Sequence, residues 1–168
     1  MTSTASPTGT ALAHPARWMI SFADMLVNDI DESKWADRCG TTINHPAFVL
    51  GHTAYYAGLC MNMLGGEIEL TEEEGALYKH GNECADDASL YPNKTESIAA
   101  FNERINTVAD FLESLDDSAF HASSEGNWFA EKFPTLGGGA AFMTIGHITF
   151  HLGQISAWRR VAGMGSAT

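Results

Sequence analysis

The sequence predicts an all-α protein that folds as a four-helix bundle, with a short extra helix between the second and third long helices. Three observations support this class. Four long segments repeat apolar residues every three to four positions, which is the period of a helix. No segment alternates apolar and polar residues in the manner of a strand. At 168 residues, the chain can bury the core of one ordinary domain without disulfides.

The first long helix is predicted from about Pro15 to Ile30, because proline is favourable in a first turn. Its apolar residues recur on one side of the segment: Trp18, Met19, Phe22, Met25, Leu26 and Ile30. The residues before it are rich in Ser, Thr, Gly and Pro and lack the basic and apolar regions of a signal peptide. We therefore predict a flexible tail over residues 1–12 and a single bundle domain over residues 13–164.

The second long helix is predicted to begin near Asn44, a good N-cap, with Pro46 in its first turn, and to end at Gly65 and Gly66. Its apolar stripe consists of Phe48, His52, Tyr55, Leu59 and Met63. A histidine therefore occupies a position that faces the core.

The other helices also carry start and stop signals. Thr71 and Glu74 are spaced as a capping box and predict a short helix to about His80, followed by a loop over residues 82–92. Asn93 and Glu96 repeat that spacing and begin the third long helix. Residues 116–137 are predicted to be irregular. The fourth helix follows the glycines at 137–139, extends to about Val161, and is predicted to be the most buried because it is apolar on nearly all sides.

Composition excludes several classes of function. A net charge of −12 disfavours nucleic acids and anionic membranes, since phosphates attract clusters of lysine and arginine. No apolar run approaches the roughly 20 residues of a membrane span. Cys39, Cys60 and Cys84 form no CxxC pair, which argues against a zinc ribbon or a thioredoxin-type site. Three unpaired thiols suit a reducing cytoplasm, which is the predicted location.

A pair of histidines in the fourth helix points to a metal site. His147 and His151 are four residues apart, so they project from one helical face and can converge on one ion. Two histidines on one buried face would cost several kcal/mol to desolvate without partners. Gln154 continues the same stripe and could orient a ligand imidazole or a bound water.

His52 is the third candidate ligand, because it lies in the middle of a helix on an apolar stripe. Three neutral imidazoles leave a coordination position open for water or substrate, which is typical of catalytic sites. An ion held in this way can lower the pKa of a bound water or thiol. The glutamate of an HExxH motif is absent, since Ile148 follows His147, so a thermolysin-like peptidase is not expected.

The remaining histidines have simpler interpretations. His14 is expected to be solvated at a helix start, and His45 lies about two turns from His52, too far to share one ion. His80 is expected to interact with a helix C-terminus, and His121 could approach the site only if its loop folds over it.

Aromatic residues offer further candidates around the site. Tyr55 and Tyr56 lie one turn from His52, and one of them, with Tyr55 preferred, could hydrogen-bond a substrate or a metal-bound water, although packing is the favoured interpretation of both. Trp128 and Phe129 follow Gly126 and are candidates for a lid over the metal, or else for packing.

Several of these segments resemble a known family. The run GHITFHLGQ, from Gly146 to Gln154, is similar to the H-x-x-x-H-x-G-Q signature of the DinB/YfiT-like superfamily of four-helix-bundle metalloproteins. The run NHPAFVLGHTAY, from Asn44 to Tyr55, resembles the second helix of that family. Residues 91–94, Tyr-Pro-Asn-Lys, also fit its layout, so the resemblance extends from about Pro15 to Gly163.

The resemblance implies that His52, His147 and His151 are the ligands of one divalent metal ion, commonly zinc or nickel, and that the protein is a homodimer. Characterised relatives include transferases and an isomerase that use low-molecular-weight thiols such as bacillithiol or mycothiol. The first hypothesis is therefore a metal-dependent enzyme, either a small-thiol transferase or a hydrolase, that acts on a small molecule. The second is a non-catalytic metal-binding or small-ligand-binding stress protein, and the third is a structural bundle whose histidines only form hydrogen bonds.

Overall fold

The computed structural model describes residues 6–167. The long helices are α1 (Pro7–Val27), α2 (Pro46–Met63) and α4 (Lys94–Ser114), together with a fourth helical stretch. That stretch joins α6 (Leu136–Ala141), a π-helical segment (Phe142–His147) and α7 (Ile148–Val161). The short helices are α3 (Glu72–Tyr78) and α5 (Asp117–His121), with 3₁₀ turns at Glu32–Lys34 and Ala88–Leu90. Residues 6–167 contain no strand, so the all-α class is confirmed, including the short helix before the third long one.

The four long helical stretches share one core. Helix α4 packs along both α1 and α2, and α7 packs against α1 and α2 from the other side. Trp35 and Trp158 are the largest fully buried side chains. The indole N–H of Trp35 donates to Ser97 Oγ at 3.0 Å, and that of Trp158 donates to the Asp37 carbonyl at 2.6 Å. Both buried indole N–H groups thus have a hydrogen-bond acceptor, as is usual for buried tryptophan. None of the helices in this part of the chain is long and apolar enough to cross a membrane.

Helix α1 begins earlier than the sequence indicated. Ser6 is its N-cap and accepts a hydrogen bond from the Gly9 N–H at 3.0 Å, and Pro7 takes the first helical position. Residues 7–12, which the sequence assigned to a flexible tail, are therefore helical, and Pro15 lies inside the helix. Residues 1–5 of the predicted tail lie outside the described residues. The Ser-, Thr-, Gly- and Pro-rich composition that suggested a flexible tail here belongs to the capped start of a helix.

The buried face of α1 also differs from the prediction. Trp18 and Met25, assigned to the core side, are 58% and 41% exposed, and Trp18 stacks on Phe22 with ring centroids 5.2 Å apart. The buried stripe consists of Leu12, Ala13, Ala16, Met19, Ala23 and Leu26, of which only Met19 and Leu26 were predicted. Three of these are alanines, which let the neighbouring helices come close. The packing is decided by small residues, whereas the sequence interpretation followed the large ones.

The most buried helix is α2, and the prediction that named the fourth helix was wrong. Helix α2 is enclosed by α4, α7 and α3, and buried residues occur on nearly all its sides. In the fourth stretch, Phe150 is 69% exposed and Val161 is 46% exposed. An apolar residue at the surface cannot be distinguished from a buried one by helical periodicity alone.

The predicted capping boxes are both present. In α3, Thr71 Oγ1 accepts from the Glu74 N–H at 3.1 Å, and the Glu74 carboxylate accepts from the Thr71 N–H at 2.9 Å. Asn93 and Glu96 form the same pair at the start of α4. Between α4 and α6, the segment predicted to be irregular contains α5.

The N-cap of α2 is His45, one residue after the predicted Asn44. Its Nδ1 accepts from the Phe48 N–H at 3.1 Å, and its Nε2, which must then carry the proton, donates to the Ala85 carbonyl at 3.1 Å. The ring is fully buried, and burial lowers its pKa below the usual value. Only the neutral ring can make both hydrogen bonds. His45 is therefore a structural residue, as predicted.

Close approach of α1 to α4 makes Gly9 a sensitive position. A Cβ atom there would lie 2.2 Å from the Leu112 carbonyl oxygen, whereas one at Gly153 in α7 would meet nothing within 4 Å. Gly9→Ala is expected to lower the free energy of unfolding by about 1–3 kcal/mol through overpacking. Gly153→Ala, the control, is expected to raise it by up to about 1 kcal/mol through helix propensity. Urea unfolding measures both, and equal effects at the two positions would contradict the packing.

Titration of His45 gives a second prediction. Because the folded-state pKa is lowered, the unfolded chain takes up the proton first, and the stabilisation is lost as pH falls below about 6.5. His45→Asn keeps a capping side chain but removes this titration. Between pH 7.5 and 5.5, metal-free wild type should therefore lose more unfolding free energy than the variant, by up to about 1.4 kcal/mol. Urea unfolding at both pH values measures the difference, and identical losses would contradict a neutral His45.

Candidate metal centre

The fold brings His52 of α2 next to His147 and His151, although His52 and His147 are 95 residues apart in the sequence. The ring centroids of His52 and His151 are 4.3 Å apart, those of His147 and His151 are 4.4 Å apart, and those of His52 and His147 are 5.1 Å apart. Each ring offers one nitrogen, and these nitrogens all lie within 4.8 Å of one another. The predicted convergence of these side chains is therefore present in the fold.

The orientation of His52 is set by α3. Its Nδ1 lies 2.7 Å from the Tyr78 carbonyl oxygen and must donate to it, since a carbonyl can only accept. The proton is thus on Nδ1, and Nε2 presents its lone pair to the other two histidines. This arrangement requires glycine at position 51, because a Cβ there would lie 2.1 Å from Cζ of the Tyr78 ring. A backbone carbonyl behind the ring is a common way to fix a ligand tautomer.

The spacing of the nitrogens fits a shared ion. Nε2 of His52 and Nε2 of His147 are 3.2 Å apart. Two nitrogens bound to one tetrahedral zinc ion at about 2.0–2.1 Å are about 3.3 Å apart. In addition, Nδ1 of His147 and Nδ1 of His151 are buried without a hydrogen-bond partner among the described residues. The donor set is therefore compatible with a divalent cation in both distance and chemistry.

The three rings are held in the neutral form, which is the form that binds metal. Burial lowers the pKa of His52 to about 4 and that of His147 to about 3, and the charges of the neighbouring histidines add to both shifts. Burial also lowers the pKa of His151. His52 is buried, whereas His147 and His151 are half-buried, so the cluster is closed on the α2 side and open on the α7 side.

A change of helix type occurs at the cluster. The turns from Phe142 to His147 are π-helical, and α7 begins at Ile148, so His147 stands at the junction. The hydroxyl of Thr144 donates to the Ala140 carbonyl at 2.7 Å inside this stretch. The sequence predicted one continuous helix here. Single π-helical turns within α-helices are frequent at functional sites.

Gln154 lies beside His151, where the sequence placed it. Its Oε1 accepts from Asn44 Nδ2 at 3.0 Å, and its side chain opposes the lowering of the His151 pKa by burial. Asn44, expected to cap α2, instead lies just before its N-cap and holds Gln154 across the bundle.

The tyrosine that contacts the cluster is Tyr56 rather than the preferred Tyr55. The Tyr56 ring centroid lies 4.8 Å from that of His52 and 5.1 Å from that of His147. Its hydroxyl accepts from the His80 N–H at 2.9 Å. Tyr55 instead lines a shallow polar cleft beside α3. Both tyrosines follow His52 by about one turn, and only the rotation of α2 in the bundle decides between them.

The loop that carries Trp128 and Phe129 lies elsewhere. Both residues line a cavity of about 170 Å³ with Cys60 and Met143, and none of the three histidines lines it. Trp128 is exposed and Phe129 is buried. The lid interpretation is therefore not supported by their positions. The phenylalanines beside the two half-buried histidines are Phe150, 5.2 Å from His151, and Phe142, 6.1 Å from His147, measured between ring centroids.

The other histidines lie outside the cluster. His14 and His121 are exposed and approach Glu113 and Asp117 at 3.7 Å. His80 differs, because its backbone bonds to Tyr56 and its charge contributes to the low pKa of His52 and His147. The sequence interpretation missed this proximity, and no local signal around His80 could have revealed it.

The fold and the cluster define a helical-bundle protein whose three histidines could hold one metal ion. Comparison with protein families agrees with this class, since residues 18–155 match the model of the DinB superfamily. The match covers most of the chain, and the protein therefore belongs to the DinB superfamily. Comparisons with curated proteins and with solved structures found no significant match.

Protonation of the cluster can be tested directly in metal-free protein. The imidazole ¹⁵N resonances should show His52 protonated at Nδ1 and not at Nε2, because Tyr78 accepts from Nδ1. His52 and His147 should both remain neutral when pH is lowered from 7.5 to 5, since their pKa values are about 4 and about 3. Titration of either ring with a midpoint above pH 6 would contradict the geometry of the cluster.

Proposed function

We propose that the protein binds one divalent metal ion, zinc or nickel, through a ring nitrogen of each of His52, His147 and His151. We further propose that it acts with this ion as an enzyme on a small molecule, as a transferase that uses a low-molecular-weight thiol or as a hydrolase. The observation that supports the metal is the 3.2 Å spacing between Nε2 of His52 and Nε2 of His147, beside buried Nδ1 atoms of His147 and His151 that have no hydrogen-bond partner among the described residues.

The groups around the cluster have different roles in such a site. The Tyr78 carbonyl fixes His52, and Gln154, held by Asn44, lies one turn beyond His151 in α7. The Phe48 ring stacks on His52 at 5.6 Å and keeps water from the closed side. When bound, a divalent cation supplies Lewis acidity at the open side, where substrate enters. Three protein ligands leave room for this, as in catalytic zinc sites.

The cysteines of the protein are not activated as nucleophiles, which supports the proposal that the reaction uses a thiol from solution. Burial raises the pKa of Cys60 to about 12, and burial also raises the pKa of Cys39 and Cys84. None of the three is therefore activated as a thiolate nucleophile at neutral pH. If the reaction uses a thiol, it has to come from solution and be activated at the metal.

The imidazole donors are compatible with both zinc and nickel. Imidazole nitrogens bind zinc, nickel, copper and iron, and coordination geometry and availability select among them. The spacing of the two Nε2 atoms fits tetrahedral zinc, and a wider shell with solvent ligands on the open side suits nickel. A cytoplasmic location and a homodimer remain predictions from the sequence.

A second candidate function is metal or small-ligand binding without catalysis. It is favoured by the composition of the cluster, which contains no aspartate or glutamate that could act as a general base. Turnover distinguishes the two. Metal-loaded protein supplied with a thiol and an electrophile should give product that a chelator abolishes if it is an enzyme, and none if it only binds.

The metal site is tested by the metal content of purified protein. Wild type should hold close to one zinc or nickel ion per chain, and His147→Ala should lose most of it, because two imidazoles form a weak site. His121→Ala is the matched control, since His121 is exposed and distant from the cluster. Elemental analysis measures all three. Equal metal content in wild type and His147→Ala would rule out the site.

A further inference from the structure

A cavity lies between the C-terminal end of α2, the π-helical segment and the loop before α6. Its volume is about 170 Å³, and the residues that line it are Leu59, Cys60, Asn62, Met63, Asn127, Trp128, Phe129 and Met143. Phe129 and Met143 are buried, whereas Trp128 is 65% exposed, so the cavity leads from the core to the surface. The three clustered histidines do not line it, and it is therefore separate from the proposed metal site.

The lining contains no charged residue and only two polar ones. Both ends of the Asn62 amide are bonded to the Ile68 backbone, at 2.9 and 2.8 Å. Nδ2 of Asn127 donates to the Ser124 carbonyl at 3.1 Å. A charged ligand would lose hydration here without gaining an ionic partner. The lining therefore favours a neutral and largely apolar ligand.

The apolar part of the lining favours an aromatic ring over an aliphatic one. Trp128 and Phe129 present two rings, whose centroids lie 5.4 Å apart at an interplanar angle of 89°. Cys60, Met63 and Met143 contribute sulfur-containing side chains. Aromatic rings attract one another edge to face, and thioether sulfur also makes favourable contacts with ring edges.

The loop that carries the two rings is held in place. The Ser124 N–H donates to the Pro134 carbonyl at 3.2 Å. The Phe133 N–H donates to the Phe129 carbonyl at 2.9 Å. Phe129 also packs against Gly139, where a Cβ atom would lie 2.5 Å from Cε2 of the ring. The walls of the cavity are thus ordered before a ligand arrives, which lowers the entropic cost of binding.

From these contacts we propose that the cavity is a binding site for a small, neutral aromatic molecule with a single ring. The volume agrees with this class, because an apolar cavity of about 150 Å³ engineered in another protein binds benzene. The ring of the ligand contacts Phe129 and Met143 on the inside and Trp128 at the mouth. Binding removes apolar surface of Trp128 from water, which adds to the affinity.

The test uses fluorobenzene as the probe and follows its binding to the purified protein by ¹⁹F NMR. Binding to wild type should saturate at one molecule per chain. Trp128→Ala is expected to weaken it about three- to tenfold, as loss of one aromatic contact predicts. Leu59→Trp places a larger side chain in the cavity and should abolish saturable binding. Trp18→Ala is the matched control, since Trp18 is 58% exposed and does not line the cavity, and its affinity should equal that of wild type.

Two further measurements test the position and the class of the ligand. In protein labelled at the methionine methyl groups, fluorobenzene should shift the resonances of Met63 and Met143 but not that of Met25, which is exposed on α1. Fluorocyclohexane, a ring without π electrons, should bind roughly threefold or more weakly than fluorobenzene.

The outcomes that contradict the proposal are distinct. Absence of saturable binding to wild type overturns it, as does equal affinity in wild type and Trp128→Ala. Trp128→Ala removes an exposed side chain and should keep the melting temperature of wild type, so a changed affinity reports on the cavity and not on folding. An equal loss of affinity in Trp18→Ala overturns the location, and equal affinity for the two ring compounds overturns the aromatic class.

Discussion

The hydrogen bond from His52 Nδ1 to the Tyr78 carbonyl is the interaction on which the site depends. It fixes the tautomer of the central histidine and points the lone pair of Nε2 into the cluster. It also ties the end of α3 to α2, a contact that glycine at position 51 makes possible. The chain after Tyr78 is thereby held close enough for His80 to reach Tyr56. One hydrogen bond thus sets the closed side of the site and anchors the segment after α3.

Burying three imidazoles costs free energy, and two features of the fold reduce this cost. Desolvation keeps the rings neutral, which avoids buried charge and leaves lone pairs for a cation. The Tyr78 carbonyl, a neutral partner, orients the His52 ring without adding charge. The three-histidine cluster contains no carboxylate that could act as a general base.

Much of the fold was predictable because local signals decide it. The capping boxes at Thr71 and Asn93 fix where α3 and α4 begin, since they satisfy backbone donors next to them in sequence. Where the prediction was wrong, a contact between distant residues decides. The burial of Ala16 rather than Trp18 in α1, and the enclosure of α2, depend on how closely whole helices approach one another. The π-helical turns before His147 likewise have no recognisable pattern in the sequence.

The sequence by itself determined the all-α class, the capped helix starts and the histidine pair at spacing four, because each is a property of residues within one or two turns. It also named His52 as the third histidine from its position on an apolar stripe. Only the tertiary structure decided that Tyr56 and not Tyr55 faces the cluster, that Asn44 supports Gln154, and that the backbone of His80 bonds to Tyr56. These placements depend on the rotation of each helix about its axis, which is fixed by the packing of the complete core.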